Sequence, residues 1–374
     1  MRIPFNDLAT PHAAIVDDVV AEVRAIAASS AFIGGPAVAA FEREWAEFCR
    51  RTIGIGVANG TDAIELTLRA LEIGAGDEVL VPANTFIATA SAVAATGARP
   101  VFVDVDPVTL LVTPETLHAG LTHLTKAVIP VHLYGHVVPP ADVVPFALEH
   151  DLIVIEDAAQ AHGATADNGA VVAGSYGVAA TFSFYPGKNL GAWGDAGAVV
   201  TDDADLASRI RSLANHGRSE GTDHYEHVRI GRNSRLDGLQ AAVLSRKLAD
   251  LPASTEGRRR VAARYASALG AYDIPMVTPP SGVDSAWHLL VVRVPNREAV
   301  RRVLDEAGIG TGVHYPVPCH RQRAYADQRT PARSLPVVEA VAPQLLSLPF
   351  FPHLRDDEVA YVAETLAKAI SSTS

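Results

Sequence analysis

Lys188 is set in "FSFYPGKNLGAWGDAGAVV" (182–200), a loop bearing glycine and proline between two apolar runs, in a chain that hardly uses lysine. There are four lysines, Lys126, Lys188, Lys247 and Lys368, against 27 arginines. Surface positive charge is left to arginine, so a lysine in an unusual setting is a candidate for chemistry. Its amine can lose a proton and attack a carbonyl, which a guanidinium cannot do. A solvated surface charge is the ordinary role of a lone lysine. Against that role stand the flanking glycines, which let a ligand approach the backbone closely, and Ser183, which offers a hydroxyl five residues earlier.

Other residue types complete a set. Asp157 ends the apolar run "DLIVIED" (151–157), so its carboxylate emerges at a strand end. There it either caps the next turn or keeps a pyridinium nitrogen protonated. Glu156 precedes it, but neighbours on a strand point to opposite faces, so only one of the two acids can enter a site. Gly60, Thr61 and Asp62 open a helix directly after a strand. The first amides of that helix and the Thr61 hydroxyl suit a phosphate, and an ordinary N-cap explains the tripeptide equally well. Phe86, just past another strand end in "NTFIA", is either a core residue or a flat surface for a heteroaromatic ring. A lysine amine, an acid for a ring nitrogen, a phosphate cradle and a stacking aromatic are the parts a pyridoxal 5′-phosphate (PLP) enzyme needs.

Competing constellations are weaker. The glycines of "GIGVANG" suggest a dinucleotide fingerprint, but the spacing is wrong. The next strand, "EVLVPANTF", also ends in Asn and Thr instead of the acid that holds a ribose. His132 and His136 in "VHLYGH" are four apart, yet in a loop-like segment without a third ligand, so no metal is assigned. "EGRRRVAARY" reads as a solvated helix face. There is no Walker loop and no G-x-S-x-G elbow.

The elements that must position these residues can be read from hydrophobic patterning. Short β-rich runs recur at 53–58, 78–82, 100–105, 127–131, 152–157, 180–185 and 197–201. Helical patterns such as "TDAIELTLRALEI" separate most of them, with Ile64, Leu68 and Leu71 on one face. This alternation predicts an α/β fold with a largely parallel sheet covered on both sides. In such sheets ligands gather beyond the carboxyl ends of the strands. The residues just past the strand ends are Asn59-Gly60-Thr61, Asn84-Thr85-Phe86, Asp157 with Gln160, and Ser183 with Lys188. After residue 202 the rhythm changes to a helix, a polar loop to about 234 and two long helical stretches. A smaller α+β unit comes next, with "AWHLLVVRV" as a strand and a last helix from Asp356 to Ile370. The boundary is expected near 250.

Bulk properties bound the reading. At 374 residues, two domains are expected. A net charge of −11 argues against nucleic acid or an anionic membrane surface as the main partner. Cys49 and Cys319 form no disulfide framework and match no metal-ligand spacing. The opening "MRIPFNDLATPH" lacks a signal-peptide core, and no apolar run is long enough to span a bilayer. A soluble cytoplasmic protein is expected.

In combination the motifs resemble the PLP-dependent nucleotide-sugar aminotransferases of the DegT–StrS type, within the fold type I aminotransferases. The resemblance runs from "PFNDL" through "FIGGPAVAAFE", "NGTDAIEL", "GDEVLVPANTFIATASAV" and "EDAAQAHGA". It continues in "FSFYPGKNLGAWGDAGAV", "GRNSRLDGLQAAVL" and "HYPVPCH". It implies a large PLP-binding domain over 1–250, with a mostly parallel seven-stranded sheet, and a small C-terminal domain over 251–374. Lys188 would bond the cofactor covalently and move the proton, and Asp157 would pair with the ring nitrogen. Gln160 would bond the 3′-oxygen, Phe86 would stack on the ring, and Gly60, Thr61 and Ser183 would hold the phosphate. Asn233 would reach the phosphate of the other subunit, making the functional unit a homodimer with shared active sites. His314 and Tyr315 would line the sugar pocket.

The implied reaction carries an amino group from L-glutamate to a keto sugar on a nucleotide diphosphate. "FYPGKNLGAWGDAGAV", "HYPVPCH" and "HYEHVRIGRNSRLD" look like members acting at C3, on a 3-keto-6-deoxyhexose or a 3-keto uronic acid. Members acting at C4 more often carry "SFH" and "GEGGA", and C4 is the alternative. Two segments depart from the pattern, "ADNGAVVAGS" and the loop position held by Trp193. A PLP-dependent sugar dehydratase of this fold replaces the lysine with histidine, and an amino-sugar-sensing regulator can dispense with it. Lys188 and Asp157 argue for the transaminase.

Overall fold

The computed structural model describes residues 1–219, 225–326 and 334–373. Three helices, α1 (Ala9–Ala13), α2 (Val16–Ser29) and α3 (Gly35–Phe48), lead into β1 (Ile53–Val57). The chain continues through α4 (Gly60–Ala70), β2 (Glu78–Pro82), α5 (Ile87–Ala95), β3 (Arg99–Val103), α6 (Pro114–Gly120), β4 (Thr125–Val128), α7 (Pro140–Glu149) and β5 (Ile153–Asp157). A small hairpin, β6 (Thr165–Ala166) and β7 (Val171–Val172), precedes β8 (Ala179–Ser183) and β9 (Gly197–Thr201).

Seven strands form one sheet in the order β1-β9-β8-β5-β4-β2-β3. The pairs β2–β3, β2–β4, β4–β5 and β5–β8 are parallel, while β9 runs antiparallel to both β8 and β1. All seven apolar runs of the sequence are strands of this sheet. Its central members read as continuous apolar stretches because both faces are covered, and every residue of β2 and of β9 is buried. β4 stops at Val128, short of the run's end at Val131, where Pro130 brings no N–H to the ladder. The chain still tracks the sheet, and Val131 bridges Asp157.

Local chemistry sets the helix starts. The Asn59 side chain accepts from the Asp62 amide at 2.8 Å and caps α4. Thr113 and Thr116 form a reciprocal capping box on α6. Beyond the sheet, α8 (Ala204–Ala214), α9 (Gly238–Leu248) and the 20-residue α10 (Leu251–Gly270) carry the chain to a second unit. This unit pairs β10 (Val291–Arg293) with β11 (Leu345–Ser347) and adds α11 (Arg297–Glu306), α12 (Pro336–Val341) and α13 (Asp356–Thr373). Its hydrophobic cluster joins Val261 and Tyr265 of α10 to Leu304, Leu346, Val362 and Leu366, and takes in Ile3 from the start of the chain. Ile3 is fixed there through its amide on the Gly308 carbonyl and its own carbonyl on the Gly310 amide.

Candidate active site

The parallel strands end on one edge of the sheet, and the chemistry-bearing residues lie there. Gly60 begins α4 straight after β1, and its closest neighbour is Ser183 at the end of β8. A Cβ on Gly60 would stand 2.7 Å from that of Ser183, so only glycine lets the helix start approach the serine this closely. Asn59 takes the Asp62 amide, and the Ala63 amide goes to the Asn59 carbonyl. The amides of Gly60 and Thr61 come before these in the helix, at the positive end of the helix dipole, where Gly60 packs on Ser183. Such a helix start can cradle a phosphate.

Asp157 lies at the end of β5 and is buried. Its Oδ2 accepts from the Thr89 hydroxyl at 2.8 Å and its Oδ1 from the Ala159 amide at 3.2 Å. Thr89 is itself 2.9 Å from the hydroxyl of Thr85. Glu156 faces the other way, into a cage of its own. It accepts from the amides of Gly174, Tyr176 and Gly177 at 2.7–2.8 Å, and its Oε2 lies 3.0 Å from His132 Nε2. Strand alternation thus divides the two acids, one at the sheet edge and one in the structure behind it.

Lys188 sits half-buried in the turn after β8, where its amide donates to the Tyr185 carbonyl at 2.8 Å. Burial lowers its amine from the usual lysine value to about 8, with the nearby Asp157 carboxylate acting in the opposite direction. An amine so placed is about one-fifth neutral near pH 7.4, far more than an ordinary lysine, and the neutral form is the nucleophile. Its charge in turn adds to burial in holding His162 at about 3 and His314 at about 4. Asn189 anchors the turn to the second unit by donating to the Ala286 carbonyl at 2.8 Å.

Gln160 is turned by two contacts. Its Oε1 accepts from the Tyr134 amide at 2.7 Å, and its Nε2 donates to the Tyr315 hydroxyl at 3.1 Å. Tyr315 is tilted 39° to Phe86 with ring centroids 5.6 Å apart. Phe86 remains 54% exposed, so it is not a core phenylalanine. His314 lies against Phe5 and places Nδ1 2.8 Å from the Ser347 hydroxyl. Gly60, Thr61, Phe86, Asp157, Gln160, Ser183, Lys188, His314 and Tyr315 are therefore gathered from the sheet edge and the facing second unit.

Asn233 is different. It is exposed on the loop before α9, next to Ser234, whose hydroxyl accepts from the Ala58 amide at 3.2 Å. Among the described residues no hydrogen bond joins the Asn233 side chain to the others. His224, which opens "HYEHVRIGRNSRLD", and the part of the polar loop over 220–224 lie outside the described residues. Trp193 is partly exposed, with its amide on Gln240 Oε1 at 2.9 Å and its ring edge-on to His12. His132 and His136 serve separate partners, Glu156 and Ser285.

Several supporting residues escape sequence reasoning. Thr89 orients Asp157 from 68 residues away. Tyr134 positions Gln160 by its amide and donates its hydroxyl to the His314 carbonyl. His162 contacts the Ser183 carbonyl through Nε2 at 3.0 Å. Only His162 left a signal, five residues after Asp157 in "EDAAQAHGA".

This arrangement fits PLP. The Gly60–Ser183 cradle suits the phosphate, Asp157 suits a protonated ring nitrogen, Phe86 exposes a ring face, and Lys188 is a desolvated amine. Comparisons with known proteins agree. The sequence profile of the DegT/DnrJ/EryC1/StrS aminotransferase family matches residues 13–367. The chain is 45% identical to the erythromycin biosynthesis sensory transduction protein EryC1 of Saccharopolyspora erythraea, over 98% of this chain and 99% of that one. It is 42% identical to the UDP-N-acetyl-3-dehydro-alpha-D-glucosamine 3-aminotransferase of Acidithiobacillus ferrooxidans, over 98% of both. Among solved structures, S. venezuelae DesV in complex with a ketimine intermediate superposes with a TM-score of 0.93, at 42% identity over 98% of both chains.

Proposed function

The chain belongs to the DegT/DnrJ/EryC1/StrS aminotransferase family, and from that premise we propose that it moves an amino group from L-glutamate to C3 of a nucleotide-linked keto sugar. It is an aminotransferase whose cofactor is PLP. The reading at C3 is supported by the names of similar proteins, which specify 3-aminotransferases on UDP- and dTDP-linked sugars. The observation that carries the chemistry is the pairing of desolvated Lys188 with Asp157 at the carboxyl edge of a parallel sheet. EryC1 is named for sensory transduction. A sensor has no need of a reactive amine, and this one is retained.

When bound, PLP supplies a carbonyl for amines to condense with and a pyridinium ring that takes up electrons. The chain's own residues would do the rest. Asp157, held in place by Thr89, would accept a hydrogen bond from the ring N–H. Gly60 and Thr61 amides with the Ser183 hydroxyl would hold the phosphate, and Phe86 would offer a face to the ring. Gln160, oriented by Tyr134 and Tyr315, would hold the 3′-oxygen. Lys188 would hold the cofactor through its neutral amine and would carry the proton at the substrate carbon. His314 and Tyr315 would meet the sugar.

We assign residues 1–250 to a large cofactor-binding domain and 251–374 to a small one. We also propose a cytoplasmic homodimer in which Asn233 reaches the partner's phosphate site. Support comes from apolar side chains left in solvent near this loop, including Ile230, 97% exposed, with Val228, Phe32 and Ile33. No helix among the described residues is long and apolar enough to cross a membrane. The deciding experiment supplies the PLP-loaded protein with L-glutamate and then with keto sugars on UDP or dTDP. Glutamate should shift the visible absorbance of the cofactor, and a 3-keto sugar should restore it while gaining an amine. Restoration only by a 4-keto sugar would move the reaction to C4, and no shift with any amino donor would overturn the reading.

A further inference from the structure

Away from the active site, two helix ends bring three metal-ligating side chains together. His118 lies on α6, Glu149 is the last residue of α7, and His150 comes directly after it. One ligand atom from each lies within 4.8 Å of the others. Both helices lead into strands, β4 and β5, at the edge of the sheet opposite to Asp157. We propose that His118, Glu149 and His150 form a binding site for a late first-row divalent cation of the zinc type, which ties α6 to α7.

The ring geometry carries the argument. His118 Nε2 and His150 Nε2 face each other at 3.4 Å. Two imidazole nitrogens bound to one tetrahedral zinc at about 2.0–2.1 Å stand roughly 3.4 Å apart. His118 Nδ1 lies 2.8 Å from the Pro114 carbonyl, an acceptor only, so Nδ1 carries the proton and Nε2 presents a lone pair. This is the outer-shell arrangement that fixes the tautomer of a metal-bound histidine. Both rings are held edge-on against the buried Phe146, at centroid distances of 4.7 and 4.9 Å. The two imidazoles therefore have little freedom to lose on binding.

The surroundings favour a cation. The carbonyl end of α7 points here. Glu115 stands one turn before His118, and Asp142 is raised from its ordinary value by burial and then by Glu115 and Asp106. Lys126 and Asp151 line the groove beside His150 and offset each other. Two imidazoles and a carboxylate leave a coordination position open and select zinc, nickel or copper over magnesium or calcium.

The test uses the PLP-loaded protein freed of metal by a chelator, then titrated with Zn²⁺ against a chromophoric competitor. The wild type should bind one equivalent more than His118→Ala or His150→Ala, and Glu149→Gln should weaken that equivalent about tenfold or more. Zinc should raise the Tm of the wild type and leave both alanine variants unmoved. The zinc-edge absorption spectrum of the wild type should contain two imidazoles. Equal uptake by the wild type and both variants, or a spectrum without histidine, would overturn the site and reduce the contact to an imidazole–imidazole hydrogen bond. Transaminase activity of the metal-free variants should equal that of the metal-free wild type, so failure of this proposal leaves the functional reading untouched.

Discussion

At the scale of single residues, the proposed chemistry rests on Lys188 and Asp157, and each has a distinct expected defect. Replacing either with alanine should lower turnover by about 10²–10⁴-fold or more, the range for losing a positioned acid–base group. Near-normal rates in either variant would remove the basis of the assignment. The depressed amine also fixes a pH dependence. Burial penalises the ammonium, so folded Lys188 releases its proton at about 8 while an unfolded lysine keeps its proton to the ordinary value. Between those values the unfolded chain binds more protons, so this group makes the cofactor-free protein more stable as pH rises. Below about 8 the penalty is present in full. Capture of PLP by the cofactor-free protein should therefore accelerate through pH 8, monitored as growth of visible absorbance. A flat profile from pH 7 to 9 would show that Lys188 is not the titrating amine.

At the scale of elements, two positions set the local geometry around the sheet edge. Gly60 lets α4 approach β8, and a methyl there would meet Ser183 at 2.7 Å. Gly60→Ala should push the helix start from the serine and weaken PLP retention about tenfold or more, the loss of one or two charge-assisted hydrogen bonds. Equilibrium dialysis measures this directly, and unchanged retention would mean the phosphate lies elsewhere. Glu156 binds the 174–177 segment that feeds β8, accepting three amides beside His132. Glu156→Ala leaves those donors buried and unpaired and should cost about 3–5 kcal/mol. Denaturant unfolding that shows under ~1 kcal/mol would mean water replaces the carboxylate.

At the scale of the whole molecule, the question is whether one chain makes a complete site. Asn233 is exposed here, and in the proposed dimer its amide completes the partner's phosphate cradle. Lys188→Ala and Asn233→Ala subunits should each be impaired alone, yet regain activity when mixed and allowed to exchange. Each hybrid then holds one intact site, from the lysine of one chain and the asparagine of the other. No recovery after exchange, with hybrids confirmed by mass spectrometry, would confine each site to a single chain.

The residues proposed for the chemistry were legible because each stands at a strand end or helix start with a local signature. Lysine scarcity marks Lys188, the apolar run before it marks Asp157, and the Asn-Gly-Thr sequence marks the start of α4. All seven sheet strands were legible too, since burial on both faces writes a continuous apolar run into the chain. The antiparallel course of β9 was not, because an apolar run carries no direction. Nor was the place of Ile3, whose packing with α10, α11 and α13 depends on contacts more than 250 residues away. Thr89 behind Asp157, and His118 facing His150, belong to the same class. Sequence periodicity specifies which face a residue occupies on its own element, and here it determined the sheet and set the proposed reactive groups at strand ends. What those groups touch was decided by how the elements pack, since only packing turns separations of 68 and 32 residues into hydrogen-bonding distances.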